Sequence, residues 1–101
     1  MLVTEDLAKV DQYFFQSSQV LRSMANSDRL ILLCSLMNGS KTVTELGEAT
    51  GIYQPSLSQQ LGVLRNEGII RGDRKGTYIQ YSIANPVVIT LMKVLYENYC
   101  N

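Results

Sequence analysis

From Thr42 to Arg65 the chain reads TVTELGEATGIYQPSLSQQLGVLR, and that order of residues suits two short helices joined by a tight turn. Thr42 and Glu45 have the spacing of a capping box, which starts a helix, and Val43, Leu46 and Ala49 recur along one side of it. Gly51 can take the left-handed backbone conformation that ends a helix and turns the chain. Pro55 suits the first turn of a second helix, where a missing N–H is no loss. On that second helix Leu57, Leu61 and Leu64 fall at i, i+4 and i+7 and are expected to face a core.

The other face of the second helix is nearly all amide and hydroxyl: Ser56, Ser58, Gln59 and Gln60, with Gln54 at its start. Such side chains both donate and accept hydrogen bonds at DNA base edges without carrying charge. The layout is that of a helix-turn-helix, whose second helix lies in the major groove. A Ser/Gln face is also what a plainly solvated helix shows, so the weight rests on its place between a turn glycine and the hairpin that follows. Gln54, Gln59 and Gln60 are the candidates for specificity, because Gln can bond adenine bidentately, while Ser56 and Ser58 are candidates for phosphate contact.

The flanks complete the pattern. Between Thr4 and about Ala25 the positions Leu7, Val10, Phe14, Ser17, Leu21 and Met24 recur at three- and four-residue steps, widened by Tyr13 and Val20. This predicts an amphipathic helix with Glu5 and Asp6 in its first turn. Ser27 is expected to cap a second, nearly all-apolar helix reaching about Met37, ended by Asn38-Gly39. After Gly68 the period changes from helical to alternating. Ile69–Arg71 and Thr77–Ile83 read as two strands around a Gly72–Gly76 loop, with Ile79, Tyr81 and Ile83 on one face and Tyr78, Gln80 and Ser82 on the other. Asn85-Pro86 starts a last helix striped by Val88, Leu91, Met92, Leu95, Tyr96 and Tyr99, ending at Cys100.

The expected fold is mainly α with a small β-hairpin, in the order α-α-α-α-β-β-α: a single winged helix-turn-helix domain over residues 1–101. The helix-turn-helix occupies about 42–67 and the wing about 69–83. The helices at about 4–25 and 86–100 carry wider apolar stripes than one small core requires. They are read as the interface of a homodimer, against the alternative that they pack on each other.

Formal net charge is zero, with nine basic and nine acidic residues, which counts against a nucleic-acid binder, since phosphate contacts supply much of the affinity. The distribution is more favourable. Residues 65–83 hold Arg65, Arg71, Arg74 and Lys75 against Glu67 and Asp73, while residues 1–64 are net negative. Arg65 can reach phosphate or pair with Glu67; Arg74 and Lys75, followed by Tyr78, sit where a wing tip meets the DNA backbone. A single copy would bind weakly, so a dimer is expected. No apolar run is long enough for a bilayer and the N-terminus is no signal peptide, so no membrane partner and a cytoplasmic location are expected. With no histidine, no phosphate-binding glycine loop and no carboxylate pair set for acid–base work, the chain does not read as an enzyme, and no cofactor is implied. Glu45 and Glu48 are more simply a cap and a solvated side chain.

The stretch from Ser27 to Ile83, with Ala-Asn-Ser-Asp-Arg-Leu before it and into the second helix, Gln-Pro-Ser-Leu-Ser-Gln-Gln-Leu-Gly-Val-Leu-Arg in the reading helix and Gly-Ile-Ile at the wing, resembles the ArsR family of bacterial winged-helix repressors. The resemblance implies a homodimer on palindromic operator DNA that lets go when a small inducer binds. The family's usual metal sites have no counterpart. Thr42 and Thr44 stand where its thiolate ligands would be, and its zinc site needs histidine. Gln60 stands where members often carry His, which leaves dimer contacts or operator preference open there.

Two cysteines remain. Cys34 lies in an apolar helix, where a lone Cys is ordinarily a small core residue, and Cys100 lies at the end of the last helix. Their placement on these two helices resembles the BigR, SqrR and YgaV-like dithiol branch of the family. That resemblance implies that reactive sulfur species or an oxidant links them by a disulfide or short sulfur chain and so releases DNA. Neither cysteine has a basic neighbour in sequence, so sequence offers no sign of an activated thiol. Two other functions stay open: a ligand-blind regulator or antirepressor with inert cysteines, and a protein-interaction module on the same scaffold.

Overall fold

In the computed structural model, which describes residues 7–100, the elements follow the expected order. They are α1 (Leu7–Met24), α2 (Ser27–Leu36), α3 (Val43–Thr50), α4 (Ser56–Asn66), β1 (Ile70–Lys75), β2 (Tyr78–Ile83) and α5 (Pro86–Tyr99). Glu5 and Asp6, expected in the first turn of α1, lie outside the described residues.

Helix α3 starts as its residues dictate. Thr42 Oγ1 accepts from the Glu45 N–H and Glu45 Oε1 accepts from the Thr42 N–H, closing the capping box. It ends at Gly51, whose φ of +74° is costly for any residue with a Cβ. Helix α2 departs from expectation at its start. The cap is Asn26, extended in backbone, whose Oδ1 accepts from the Arg29 N–H, and Ser27 is already helical. On α3, Ala49 is exposed rather than core-facing, and Thr50 folds back to donate to the Leu46 carbonyl.

The hairpin is longer than expected. Gly72–Lys75 belong to β1, paired antiparallel with β2 from Ile70↔Ile83 to Lys75↔Tyr78, and only Gly76-Thr77 turn. Gly72 looks like a loop residue in sequence, but the strand itself requires it. It sits opposite Tyr81, and a Cβ there would lie 2.7 Å from Ile79 Cγ2 and 3.2 Å from Tyr81 Cε1. A third, one-residue strand joins on the other side. Lys41 exchanges both backbone hydrogen bonds with Tyr81, and its Nζ donates to the Ser35 carbonyl at the end of α2.

The core lies where α2, α3, α4 and the hairpin meet. Leu32, Leu33, Leu46, Leu64, Ile69, Ile70 and Val88 are fully buried, with Leu57 and Leu61 beside them. Each such side chain contributes about 1.5–3 kcal/mol by leaving water. Helix α5 is capped by Asn85, whose Oδ1 accepts from the Val87 N–H, and its start is held to the residue before β1 by the Ala84 and Asn85 N–H groups donating to the Ile69 carbonyl. Val88 and Met92 anchor it. From Lys93 to Cys100 every residue is exposed.

Candidate nucleic-acid interface and thiol groove

Helix α4 turns Leu57, Leu61 and Leu64 inward, and the face opposite them carries Ser58, Gln59, Gly62, Val63 and Asn66. Ser58 and Gln59 are exposed and Ser56 is half-buried at the start. The helix thus presents a short, uncharged, hydrogen-bonding strip of the kind that suits base edges.

Two expected readers are occupied elsewhere. Gln54 Oε1 accepts from the Ser58 N–H at 3.0 Å, supplying the side-chain cap that Pro55, at the N-cap position, cannot. Gln54 therefore serves the start of the helix. Gln60 is half-buried, and its Oε1 accepts from Arg29 Nη1 at 2.9 Å, so it faces α2 rather than outward. The reason is angular: Gln60 lies on the flank between the leucine face and the Gln59 face, within reach of a guanidinium on the neighbouring helix.

On the hairpin, directly paired residues share a face, so Lys75 and Tyr78 project together while Arg74 leaves on the side of Ile79 and Tyr81. Arg74, Lys75 and Tyr78 are all exposed at the tip. Arg71 pairs with Asp73 at 3.2 Å, and this is the one ion pair among the described residues. Arg65 therefore has no carboxylate partner there, and Glu67 does not neutralise it. Arg65, Arg74 and Lys75 are left as cations without an ion-pair partner among the described residues.

Two positions went unnoticed in sequence. Tyr53, in the turn before α4, is 81% exposed, and its backbone carbonyl accepts from the Leu57 N–H, so the ring stands on a fixed base at the N-terminal end of the reading helix. Gly62 sits mid-helix on the outward face, and a Cβ there would meet nothing within 4 Å. An exposed aromatic in a turn and a glycine inside a helical run, neither required by the core, are the signals that could have found them.

Both cysteines are free and exposed. Cys34 is not the core residue its apolar helix suggests. It opens into a groove of about 450 Å³ between α2 and α5, walled by Met37 and Asn38 on one side and Met92, Lys93, Tyr96 and Glu97 on the other. Lys93 lines the same groove as Cys34. Cys100 lies one turn beyond Tyr96, its N–H donating to the Tyr96 carbonyl. Thr42, standing at a thiolate position of the resembled family, is spent on its capping bond, and no group of three metal-ligating side chains occurs among the described residues.

A further surface is apolar. Tyr13, Phe14, Phe15 and Leu21 on α1 and Val87, Val94, Leu95, Tyr96 and Tyr99 on α5 are all exposed, and a groove of about 510 Å³ separates the two helices near Val20, Leu21, Val87 and Leu91. No helix among the described residues is long and apolar enough to cross a membrane.

Residues 26–71 match the family model described as bacterial regulatory protein, arsR family. The biofilm growth-associated repressor of Xylella fastidiosa is 39% identical over 83 residues, spanning 82% of this chain and 73% of the repressor. Among solved structures, reduced HlyU from Vibrio cholerae superposes with a TM-score of 0.87 at 27% identity, covering 94% of this chain and all of that one. The homodimeric winged helix-turn-helix DNA-binding domain of Mb0332 from Mycobacterium bovis superposes with a TM-score of 0.78 at 28% identity, covering 93% and 86% of the two chains.

Proposed function

The chain belongs to the arsR family of bacterial regulatory proteins, and on that basis we propose that it is a homodimeric repressor that holds palindromic operator DNA while Cys34 and Cys100 are free thiols and releases it once they are linked. The observation that carries the switch is the placement of Cys34, an exposed thiol in a groove whose far wall, Tyr96 and Glu97, lies one turn short of Cys100. The repressor named among the relatives supports the sign of regulation.

The dimer is supported by the uncovered faces of α1 and α5. Nine exposed aromatic and aliphatic side chains on these two helices are more than a monomeric surface ordinarily carries. Pairing through these helices brings two copies of α4 and two wings to one side. It also doubles the free cations at Arg65, Arg74 and Lys75, which answers the objection from neutral charge. Ser58 and Gln59 then discriminate bases, with Ser56 at the first turn near phosphate.

Two exposed free thiols, on the helices where the resembled dithiol branch carries its pair, favour a thiol-reactive inducer. A persulfide RS–SH transfers its outer sulfur to the Cys34 thiol, giving Cys34–S–SH and RSH. Cys100 then attacks the inner sulfur, forming the Cys34–Cys100 disulfide and releasing hydrogen sulfide; a longer polysulfide leaves extra sulfur atoms in the bridge. Peroxide reaches the same disulfide with loss of water. Either bridge fixes α2 against the end of α5, and so alters the spacing of the two reading helices, which must stay about 34 Å apart to fit successive major-groove turns.

The test is operator binding by Cys34→Ser and Cys100→Ser before and after polysulfide. Both variants are expected to bind when reduced and to stay bound on treatment, while wild type releases and mass spectrometry finds both its thiols consumed. A Cys34→Ser protein that still releases fully sinks the dithiol switch.

A further inference from the structure

Among the described residues a single side-chain hydrogen bond ties the reading helix to another helix. Arg29, in the first turn of α2, donates from Nη1 to Gln60 Oε1 at 2.9 Å and from Nε to the Ser23 carbonyl at 2.6 Å. No described carboxylate pairs with it, so its charge rests on two neutral acceptors. The Ser23 acceptor lies in the last turn of α1, where a helix leaves its carbonyls unpaired and favours a cation. One guanidinium therefore bridges α1, α2 and α4.

What else holds α4 is leucine. Leu57, Leu61 and Leu64 press it against the core, and contact of that kind is non-directional. It fixes the distance of the helix from the core more firmly than its roll about its own axis. A hydrogen bond has direction, and Gln60 lies on the flank where a change in roll changes its length most. We infer that the Arg29–Gln60 bond sets the angle at which α4 presents Ser58 and Gln59 to DNA. Gln60 is accordingly a positioning residue and not a reader of bases. This rests on the DNA-binding reading above but not on the cysteine switch.

The experiment titrates wild type, Gln60→Ala, Gln60→Glu and Arg29→Met/Gln60→Glu against the operator and a set of single-base variants of it, with thermal unfolding run alongside. Gln60→Ala is expected to lose about tenfold in affinity for every operator variant alike, leaving their ranking unchanged. Gln60→Glu offers a carboxylate to the same guanidinium and is expected to bind better than Gln60→Ala despite its added negative charge. The Arg29→Met/Gln60→Glu double variant is expected to lose that recovery. If Gln60 touched a base, Gln60→Ala would flatten the preference at one operator position, and Gln60→Glu would bind worst of the single variants. Either result overturns the inference, as does a Gln60→Ala protein that binds as tightly as wild type. Wild type that binds no DNA overturns the functional reading instead.

Discussion

Replacing Gly62 with alanine tests whether the outward face of α4 meets DNA closely, because the fold and the complex should respond in opposite directions. In the free protein the change is favourable. Gly62 lies inside the 11-residue helix, and beyond its own turn of helix backbone the added methyl would find no atom within 4 Å. Nothing therefore offsets the helix-propensity gain of about 1 kcal/mol. For a domain of this size that raises the melting temperature by roughly 4–8 °C, read at fixed protein concentration because dimer formation shifts the midpoint. In the complex the same methyl stands beside Gln59 and Asn66 on the face assigned to the groove. Displacing one good base contact there costs about 1–3 kcal/mol, or roughly 5- to 150-fold in operator affinity. Circular-dichroism melts and a fluorescence-anisotropy titration measure the two halves. A higher melting temperature with unchanged affinity would refute close approach of DNA at this face. A lower melting temperature would refute the free space around Gly62.

Other expectations follow from single contacts. Thr42→Ala removes half of the capping box and should destabilise the protein by about 1 kcal/mol in urea unfolding. Gly72→Ala forces a methyl against Ile79 and Tyr81 and should cost about 1–3 kcal/mol by the same measurement. Lys75→Ala should weaken binding to all DNA sequences equally and lower the slope of log affinity against log salt by about one per subunit. Tyr53→Ala should weaken operator binding without moving the melting temperature, since the ring is exposed and its backbone bond to Leu57 is unaffected.

What could be read from the sequence was local. The Thr42–Glu45 cap, the Gly51 turn, the i, i+4, i+7 leucines and the Asn85-Pro86 start each depend on residues within a turn or two of one another, and all stand where expected. What could not be read depended on partners far along the chain. Gly72 is a strand residue because of Tyr81, Gln60 faces inward because of Arg29, and Lys41 joins the sheet through Tyr81. Spacing within a helix indicated that Gln60 stood near the exposed strip, but not that a guanidinium from α2 would claim it. Gln54 has a role that spacing does not show, for a different reason. Its capping role is local, yet Gln is an uncommon cap, and the amide that suits adenine equally suits the Ser58 N–H. Cys34 illustrates the same limit: helical period placed it among leucines, while exposure followed from how far α5 stands off α2.

The free end of α5 has a mechanical consequence. The helix is pinned at its base by the bonds to Ile69 and by Val88 and Met92, and the eight residues from Lys93 to its cap Cys100, all exposed, run on for roughly 12 Å. It is a lever with its fulcrum at the wing and Cys100 at the tip. Drawing that tip sideways by about 2 Å, over a third of the 5.4 Å helical pitch, turns the arm by roughly ten degrees about its pinned base. In the proposed switch that torque would arrive at the Ile69 junction, from which the wing also hangs. Under the proposed switch, a bond made at the far end of the arm would thus reach the DNA-facing side with no moving loop in between.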